Sequence, residues 1–403
     1  MKNLRKIFLI VFIVILVVFL LLGGILFLFL RNFDPNKFKP QIVEQAKQAL
    51  SRNVEVGNLG LSLSLPQGLL VSVSGVKISD DPQFSKENFL TVDRLGLGLD
   101  ILSLITKRQI NISTVEITAP RVFLVRNEDG VFNFQTLKIL QQGNQNAKGE
   151  QSSKPSSVEK NSPIAVAAIL IQNVIVKDGT FSFRDYFEEE KSLDLKKIDL
   201  SLMDFSLVNP FKIILKAAAF SDKQNVNVSG IGSLDLAGAS LLLKNTQLRV
   251  DLPSVDTRLL LKVSPAVAAA KLQNPLSGQF DCKVDDAKVN AQGLLIKKLQ
   301  GQISGVEIKT GYLKKPLSNV QAKFDLNNDM FNVSSASCEI GSGRVDFNGV
   351  IANYLTSQEY AFKLKTGDLN VGEILNQANQ DVVLEGMASV DANIKGKGLS
   401  NLL

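Results

Sequence analysis

Histidine and tryptophan are absent from all 403 residues, and cysteine occurs only twice. The lack of histidine removes the usual general base, the commonest zinc ligand and every Ser-His or Cys-His nucleophile pair together. Cys282 and Cys338 are too few for a disulfide scaffold and show neither CxxC nor metal-ligand spacing. In an oxidising compartment they would form one bridge or remain as two buried thiols, and the sequence leaves both open. There is no concentrated basic patch either. The formal charge of +6 is spread along the chain, and Lys196-Lys197, Lys297-Lys298 and Lys314-Lys315 are pairs divided by strand patterns. Such pairs are solvated strand ends, so no nucleic-acid partner is expected. The acidic runs Glu188-Glu189-Glu190 and Asp285-Asp286 have no nearby nucleophile, phosphate loop or metal-ligand spacing. They read as solvated loops and not as the carboxylates of an envelope hydrolase. The expectation is a non-enzyme with no catalytic residues, no metal and no cofactor.

What the chain does have is a long uncharged apolar run, residues 7–30. At 1.5 Å per residue it makes a helix of about 36 Å, enough to cross a hydrocarbon core of about 30 Å with some tilt. A cleaved signal has a shorter apolar stretch, about 7–15 residues, ending at small residues; here Phe27, Phe29 and Phe33 crowd the exit. The run reads as an uncleaved anchor. Lys2, Arg5 and Lys6 precede it and Arg31, Lys37 and Lys39 follow it, so the positive-inside count is nearly tied. Because long downstream domains translocate largely regardless of charge, residues 1–6 are placed inside and the bulk outside.

After the anchor, Pro40 followed by Ile42, Val43, Ala46, Ala49 and Leu50 predicts one short amphipathic helix capping a sheet. From Val54 the period changes to two. Leu59, Leu61, Leu63 and Leu65 alternate with small polar residues, as do Leu69-Val71-Val73, Leu95-Leu97-Leu99, Phe132-Phe134 and Phe181-Phe183. Similar alternation continues through Val226-Val228, Leu248-Val250, Phe324-Leu326 and Phe362-Leu364, giving roughly fifteen to twenty strands. Short helices are expected over 265–273 and 371–378. Residues 141–163, rich in Gln, Asn, Ser, Gly and Lys, read as a flexible linker between an N-terminal unit, 31–140, and a longer unit, 164–403. The stretches 110–134 and 169–183 share a strand, connection, strand and aromatic-alternation pattern that suggests a repeated unit.

Several of these segments together resemble the AsmA family of bacterial envelope proteins. FDPNKFKPQIVEQAKQALSRNVEVGNLGLSL, from Phe33 to Leu63, is similar to the family's opening. VDRLGLGLDILSLITKRQINISTVEITAPRVFLVRNEDGVFNF, from Val92 to Phe134, resembles its most recognisable stretch, with Ala119-Pro120-Arg121 and an Asp-Gly turn. SASCEIGSGRVDFNGVI and GDLNVGEIL are similar to strand pairs and a helix nearer its C-terminal region. The resemblance implies a mainly β fold: an elongated, curved antiparallel sheet forming an apolar groove behind a transmembrane helix. It also implies a bacterial inner-membrane, single-pass protein with a cytoplasmic N-terminus and a periplasmic body. That body would bind or conduct phospholipid for outer-membrane lipid homeostasis and envelope integrity, with membrane phospholipids and envelope proteins as partners. The alternative is an assembly or quality-control factor for outer-membrane proteins. Candidate groove-lining residues are Val71, Val73, Leu95, Leu97, Leu99, Phe181, Phe183, Val226 and Val228. Alternation alone equally builds the core of a closed sandwich. The family pattern continues past the 396–403 type of segment, so a C-terminally truncated chain is expected. The oligomeric state is left open.

Overall fold

The computed structural model describes residues 33–64, 68–100, 111–138, 171–187, 191–235, 238, 240–260, 271–290, 293–354, 356–377 and 385–398. The expected anchor and linker lie outside these residues, and no helix among the described residues is long and apolar enough to cross a membrane. A 3-10 turn, Pro35–Phe38, leads into helix α1, Lys39–Leu50. Asp34 caps the turn by accepting a hydrogen bond from the Asn36 backbone N–H at 3.0 Å, and Ser51 stops α1 by turning left-handed. Val43, Ala46 and Leu50 on one face of α1 pack on buried Val54, Val56 and Leu59, as the helical spacing predicts.

The strands then follow in chain order. The first group is β1 (Val54–Glu55), β2 (Leu59–Ser64), β3 (Gly68–Ser79), β4 (Asn88–Leu99), β5 (Ile112–Thr118) and β6 (Arg121–Arg126). The second is β7 (Ile171–Asp185), β8 (Lys191–Met203), β9 (Phe211–Ala219), β10 (Val226–Asp235), β11 (Ser240–Asp251) and β12 (Leu272–Gln273). The third is β13 (Gln279–Asn290), β14 (Gly293–Thr310), β15 (Leu317–Asn327), β16 (Met330–Ile340), β17 (Gly343–Ala352) and β18 (Glu359–Thr366). β19 (Leu369–Asn370), β20 (Met387–Ala388) and β21 (Asp391–Lys397) close the series, with one-turn helix α2 at Thr257–Leu260 and helix α3 at Val371–Gln377. The expected helix near 371 is present, whereas Leu272–Gln273, expected at the end of a helix, is strand β12 paired to β14.

Nineteen of the strands form one curved sheet, and β19 and β20 pair separately. From β7 to β18 nearly every strand lies antiparallel to the next one in sequence, a meander that needs only short turns. One joint departs from the expected all-antiparallel sheet, so the sheet is mixed. β5 and β6 both run parallel to β7, with Ile112 opposite Ile171 and Arg121 opposite Thr180. These are the two segments whose sequences look alike. They lie side by side at one constant offset, and Ala119 and Asp178, at equivalent places, share a left-handed backbone with φ of 47° and 52°. A parallel pair requires a long crossover, and the residues between β6 and β7 include the expected linker.

A polar clamp ties α1 to this joint. Asn133, fully buried, donates from Nδ2 to the buried Asp80 carboxylate at 2.7 Å and to the Phe123 carbonyl at 3.0 Å. Arg52, just after α1, donates to the Asn133 carbonyl at 3.2 Å and to Thr136 Oγ1, and pairs with Asp81 at 3.4 Å. Three chain segments thus meet on side-chain hydrogen bonds. Burial of its carboxyl raises the Asp80 pKa against the lowering effect of Asn133.

Candidate functional site

Residues opposite each other across paired strands share a face, so strand register tells which side chains form a continuous surface. Starting at Leu59, the partners run Val73, Leu95, Ile117, Val176, Leu200, Leu215 and Val228. They continue through Leu248, Cys282, Gly301, Phe324, Val333, Gly349 and Phe362 to Ile394. Every position in this row is apolar or glycine, from β2 at one edge to β21 at the other. At about 4.8 Å per strand the row is roughly 70 Å long. One residue along each strand, the partners are Ser72, Glu116, Ser201, Ser229, Gln247, Lys283, Gln300, Asp325, Asn332 and Lys395, interrupted by Gly60, Gly96, Ile175, Ile214, Val350 and Ala361. The sheet therefore has one apolar face and one largely polar face.

Among the described residues the apolar face is covered at two places, by α1 over Leu59 and Val73 and by Leu369 of the two-stranded β19–β20 sheet against Gly343 of β17, and no sheet faces the strands between them. Most of its members are half-buried, as Val228, Leu248 and Phe324 are, while Leu59 and Cys282 are buried and Ile394 is exposed. The larger core cluster, Cys282, Leu299 and Leu326, is surrounded by Leu248, Phe280, Val284, Ile296, Phe324, Phe331 and Tyr354, all from adjoining strands and the turn after β17. The largest fully buried side chains are polar: Asn133, Asn225 and Thr257. A sandwich would instead bury its large apolar residues completely against a facing sheet.

Glycines in the row let aromatic rings lie down on the sheet. A Cβ at Gly301 would collide with the Phe324 ring, one at Gly349 with Phe362, and one at Gly396 with Tyr360. Phe324 lies between Phe280 and Phe331, with ring centroids 6.0 and 5.7 Å away, and Phe362 between Phe347 and Tyr360 at 5.3 and 5.1 Å. Strand glycine is weak by itself, and a ring laid over it from the neighbouring strand restores packing. The result is a low, smooth apolar floor.

A cavity of about 990 Å³ crosses β9 to β16. On each of six strands it touches three successive residues: 214–216, 227–229, 247–249, 281–283, 300–302 and 323–325. The outer two of each trio belong to the polar face, and none of the next apolar-face residues, such as Ile213, Val250 or Phe280, lines it. It is a trough on the polar face, floored by backbone, with Arg249 and Asp281 ion-paired across it at 2.7 Å.

Val73, Leu95 and Val228, expected to line a groove, lie on the apolar row; Val71, Leu97, Leu99 and Val226 adjoin it on the same face. Phe181 and Phe183 lie beyond the left-handed Asp178, opposite Leu195 and Leu193 and beside Val122 and Leu124. All nine are half-buried. Sequence reasoning stopped short of Leu248, Cys282, Phe324 and Phe362, although the alternation at Leu248-Val250 and Phe324-Leu326 marked their strands. The cysteines are both free, on β13 and β16, three strands apart. That is about 14 Å, beyond the roughly 7 Å limit for a bridge, so the disulfide alternative is excluded. Burial raises the pKa of both thiols, and the Asp346 and Glu339 charges add to the rise at Cys338. No group of side chains among the described residues could hold a metal ion.

The AsmA family model matches residues 1–310, from the first residue to the last of β14. The chain belongs to the AsmA family. No curated protein and no solved structure matches it. AsmA membership supports a function associated with the cell envelope, and the apolar row passes beyond the matched region into β15–β18 and β21 without interruption.

Proposed function

We propose that this AsmA-family protein binds phospholipid acyl chains along the apolar face and conducts them across its strands, without catalysis. The supporting observation is the unbroken apolar row from Leu59 to Ile394. Each methylene removed from water is worth about 0.8 kcal/mol, so moving one long acyl chain through water costs on the order of ten kcal/mol. A face with no polar interruption avoids that cost at every step, and rings lying over glycine leave no tall side chain in the path. The lipid would gain what the half-exposed Val, Leu and Phe side chains lack, an apolar cover. In this reading residues 7–30 anchor the protein in the bacterial inner membrane with the N-terminus in the cytoplasm. The sheet stands in the periplasm and serves outer-membrane lipid homeostasis and envelope integrity.

The test is native mass spectrometry with lipid extraction on the full chain released from detergent. Co-purifying phospholipid, lost in Leu97→Asp and Val228→Asp variants that keep their strand content, supports the proposal. Lipid-free protein of undiminished stability would overturn it. The second reading, an assembly or quality-control factor for outer-membrane proteins, would engage strands at a sheet edge. Photocrosslinks from the apolar row to protein and never to lipid would favour it.

A further inference from the structure

Helix α1 has two apolar stripes and a polar one. Val43, Ala46 and Leu50 form the stripe that packs on Val54, Val56 and Leu59. At about 100° per residue, Phe38, Ile42 and Ala49 form a second stripe roughly a quarter turn away. All three are exposed, Phe38 at 49% and Ile42 at 43%. Gln41, Glu44 and Gln48 make the polar stripe, with Gln48 donating to the Glu44 carboxylate at 2.8 Å. Single exposed apolar residues are ordinary on a protein surface, but two large ones a helical turn apart, beside a separate core-facing stripe, form a patch.

The patch is held in place. Asn36, in the turn before α1, accepts at Oδ1 from the Leu59 N–H at 2.9 Å and donates from Nδ2 to the Leu59 carbonyl at 3.3 Å. Phe33 stacks on Phe38 with ring centroids 6.0 Å apart. These contacts tie Phe33, Phe38 and α1 to β2, where the apolar row begins. Only residues 31 and 32 separate Phe33 from the uncharged apolar run 7–30. Three chain steps reach at most about 11 Å. The headgroup layer of a bilayer is itself roughly 5–8 Å deep on each side of the hydrocarbon.

We propose that the Phe38–Ile42 stripe of α1 lies in the lipid surface of the membrane that residues 7–30 cross, and so sets the β2 end of the apolar row beside the leaflet. This contact rests on the anchor proposed above and not on what the apolar face carries. Chain length selects the occupant. With the run embedded, Phe33 is held within about 11 Å of the hydrocarbon boundary, and Phe38 is stacked on Phe33. Charge agrees with a lipid surface, because Lys37 and Lys39 flank Phe38 and their ammonium groups reach headgroup phosphates while the ring goes deeper. An interfacial helix buries its apolar side about 5–10 Å into the acyl boundary. Helix α1 is then shared between two apolar media, the sheet on one stripe and the leaflet on the other.

The test uses the absence of tryptophan from the chain, which makes any introduced indole the only one. Full-length Phe38→Trp, Ile42→Trp, Glu44→Trp and Val208→Trp chains are reconstituted into vesicles of phosphatidylglycerol and phosphatidylcholine, with and without bromine near the headgroup end of one acyl chain. Val208, 76% exposed in the turn between β8 and β9, is several strands from α1. All four positions are exposed, so strand content by circular dichroism should match the wild type. Phe38→Trp and Ile42→Trp should emit to the blue of the other two and lose most of their emission in brominated vesicles. Glu44→Trp and Val208→Trp should keep theirs. Blue emission at positions 38 and 42 that brominated lipid does not quench would place a second copy or another protein on the stripe and overturn the proposal. Equal quenching at all four positions would overturn it as well. Washing the vesicles with alkaline carbonate separates this contact from the anchor. A chain stripped from them has no anchor, and both fall; a chain that stays embedded with unquenched indoles at 38 and 42 refutes the α1 contact alone.

Discussion

Gly301→Ala offers the sharpest test of the ring-over-glycine floor. The new Cβ would collide with the Phe324 ring, which is confined between Phe280 and Phe331 and cannot move sideways freely. Forcing one methyl group into a packed apolar cluster costs about 1–3 kcal/mol. Alanine gains about 0.5–1 kcal/mol over glycine in a strand interior. The net loss expected in the wild type is therefore about 0.5–2 kcal/mol. In a Phe324→Leu background the obstacle is gone, and the same substitution should be neutral or stabilising by up to about 1 kcal/mol. The coupling energy between positions 301 and 324 is then about 1–3 kcal/mol, read from denaturant midpoints of the four proteins followed by far-ultraviolet circular dichroism. Equal effects of Gly301→Ala in both backgrounds would refute the close approach of ring to backbone. A lipid readout extends the cycle. If acyl chains slide over this floor, the single variant should also retain less phospholipid than the double variant.

The remaining expectations concern the clamp and the thiols. Asn133→Ala leaves the buried Asp80 carboxylate without its 2.7 Å donor and should cost about 2–4 kcal/mol, measured by urea unfolding; a loss under 0.5 kcal/mol would show that the clamp is dispensable. The raised Asp80 pKa gives a defined sign: its contribution is full below the ordinary aspartate value, about 3.9, and is lost as pH rises through the raised value. Relative to Asp80→Asn, the wild type should therefore lose stability as pH rises above the ordinary aspartate value, and a constant difference would contradict the burial of the carboxyl. Cys282 and Cys338, buried and partly buried with raised pKa values, should react slowly with a thiol reagent at neutral pH and at once on unfolding.

The alternation of Leu95-Leu97-Leu99 or Val226-Val228, the Asp129-Gly130 turn, and the spacing of Val43, Ala46 and Leu50 were legible because each is a local period or a local backbone preference. So the strand-rich class, the capping helix and one apolar face per strand were determined by the sequence itself. Strand order was not. The parallel joint of β5 and β6 to β7 brings together residues far apart in sequence, and only the likeness of the two segments hinted at it. The phase of alternation was legible only between bends. Gly75, at φ 59°, separates Val73 from Ile78, yet both pack on the cluster under α1, so the apolar face continues through the bend. Asn133 sits between Phe132 and Phe134 and reads as the solvent side of an alternating strand; it is instead the fully buried centre of the clamp. Phe324 over Gly301 and the pairing of Leu59 with Asn36 are contacts across strands that no window of sequence contains. Whether the apolar face is covered is likewise a property of the whole sheet. Local periodicity fixes which side of a strand is apolar, while long-range pairing decides that these sides join into one row and that α1 and Leu369 of β19 cover only parts of it.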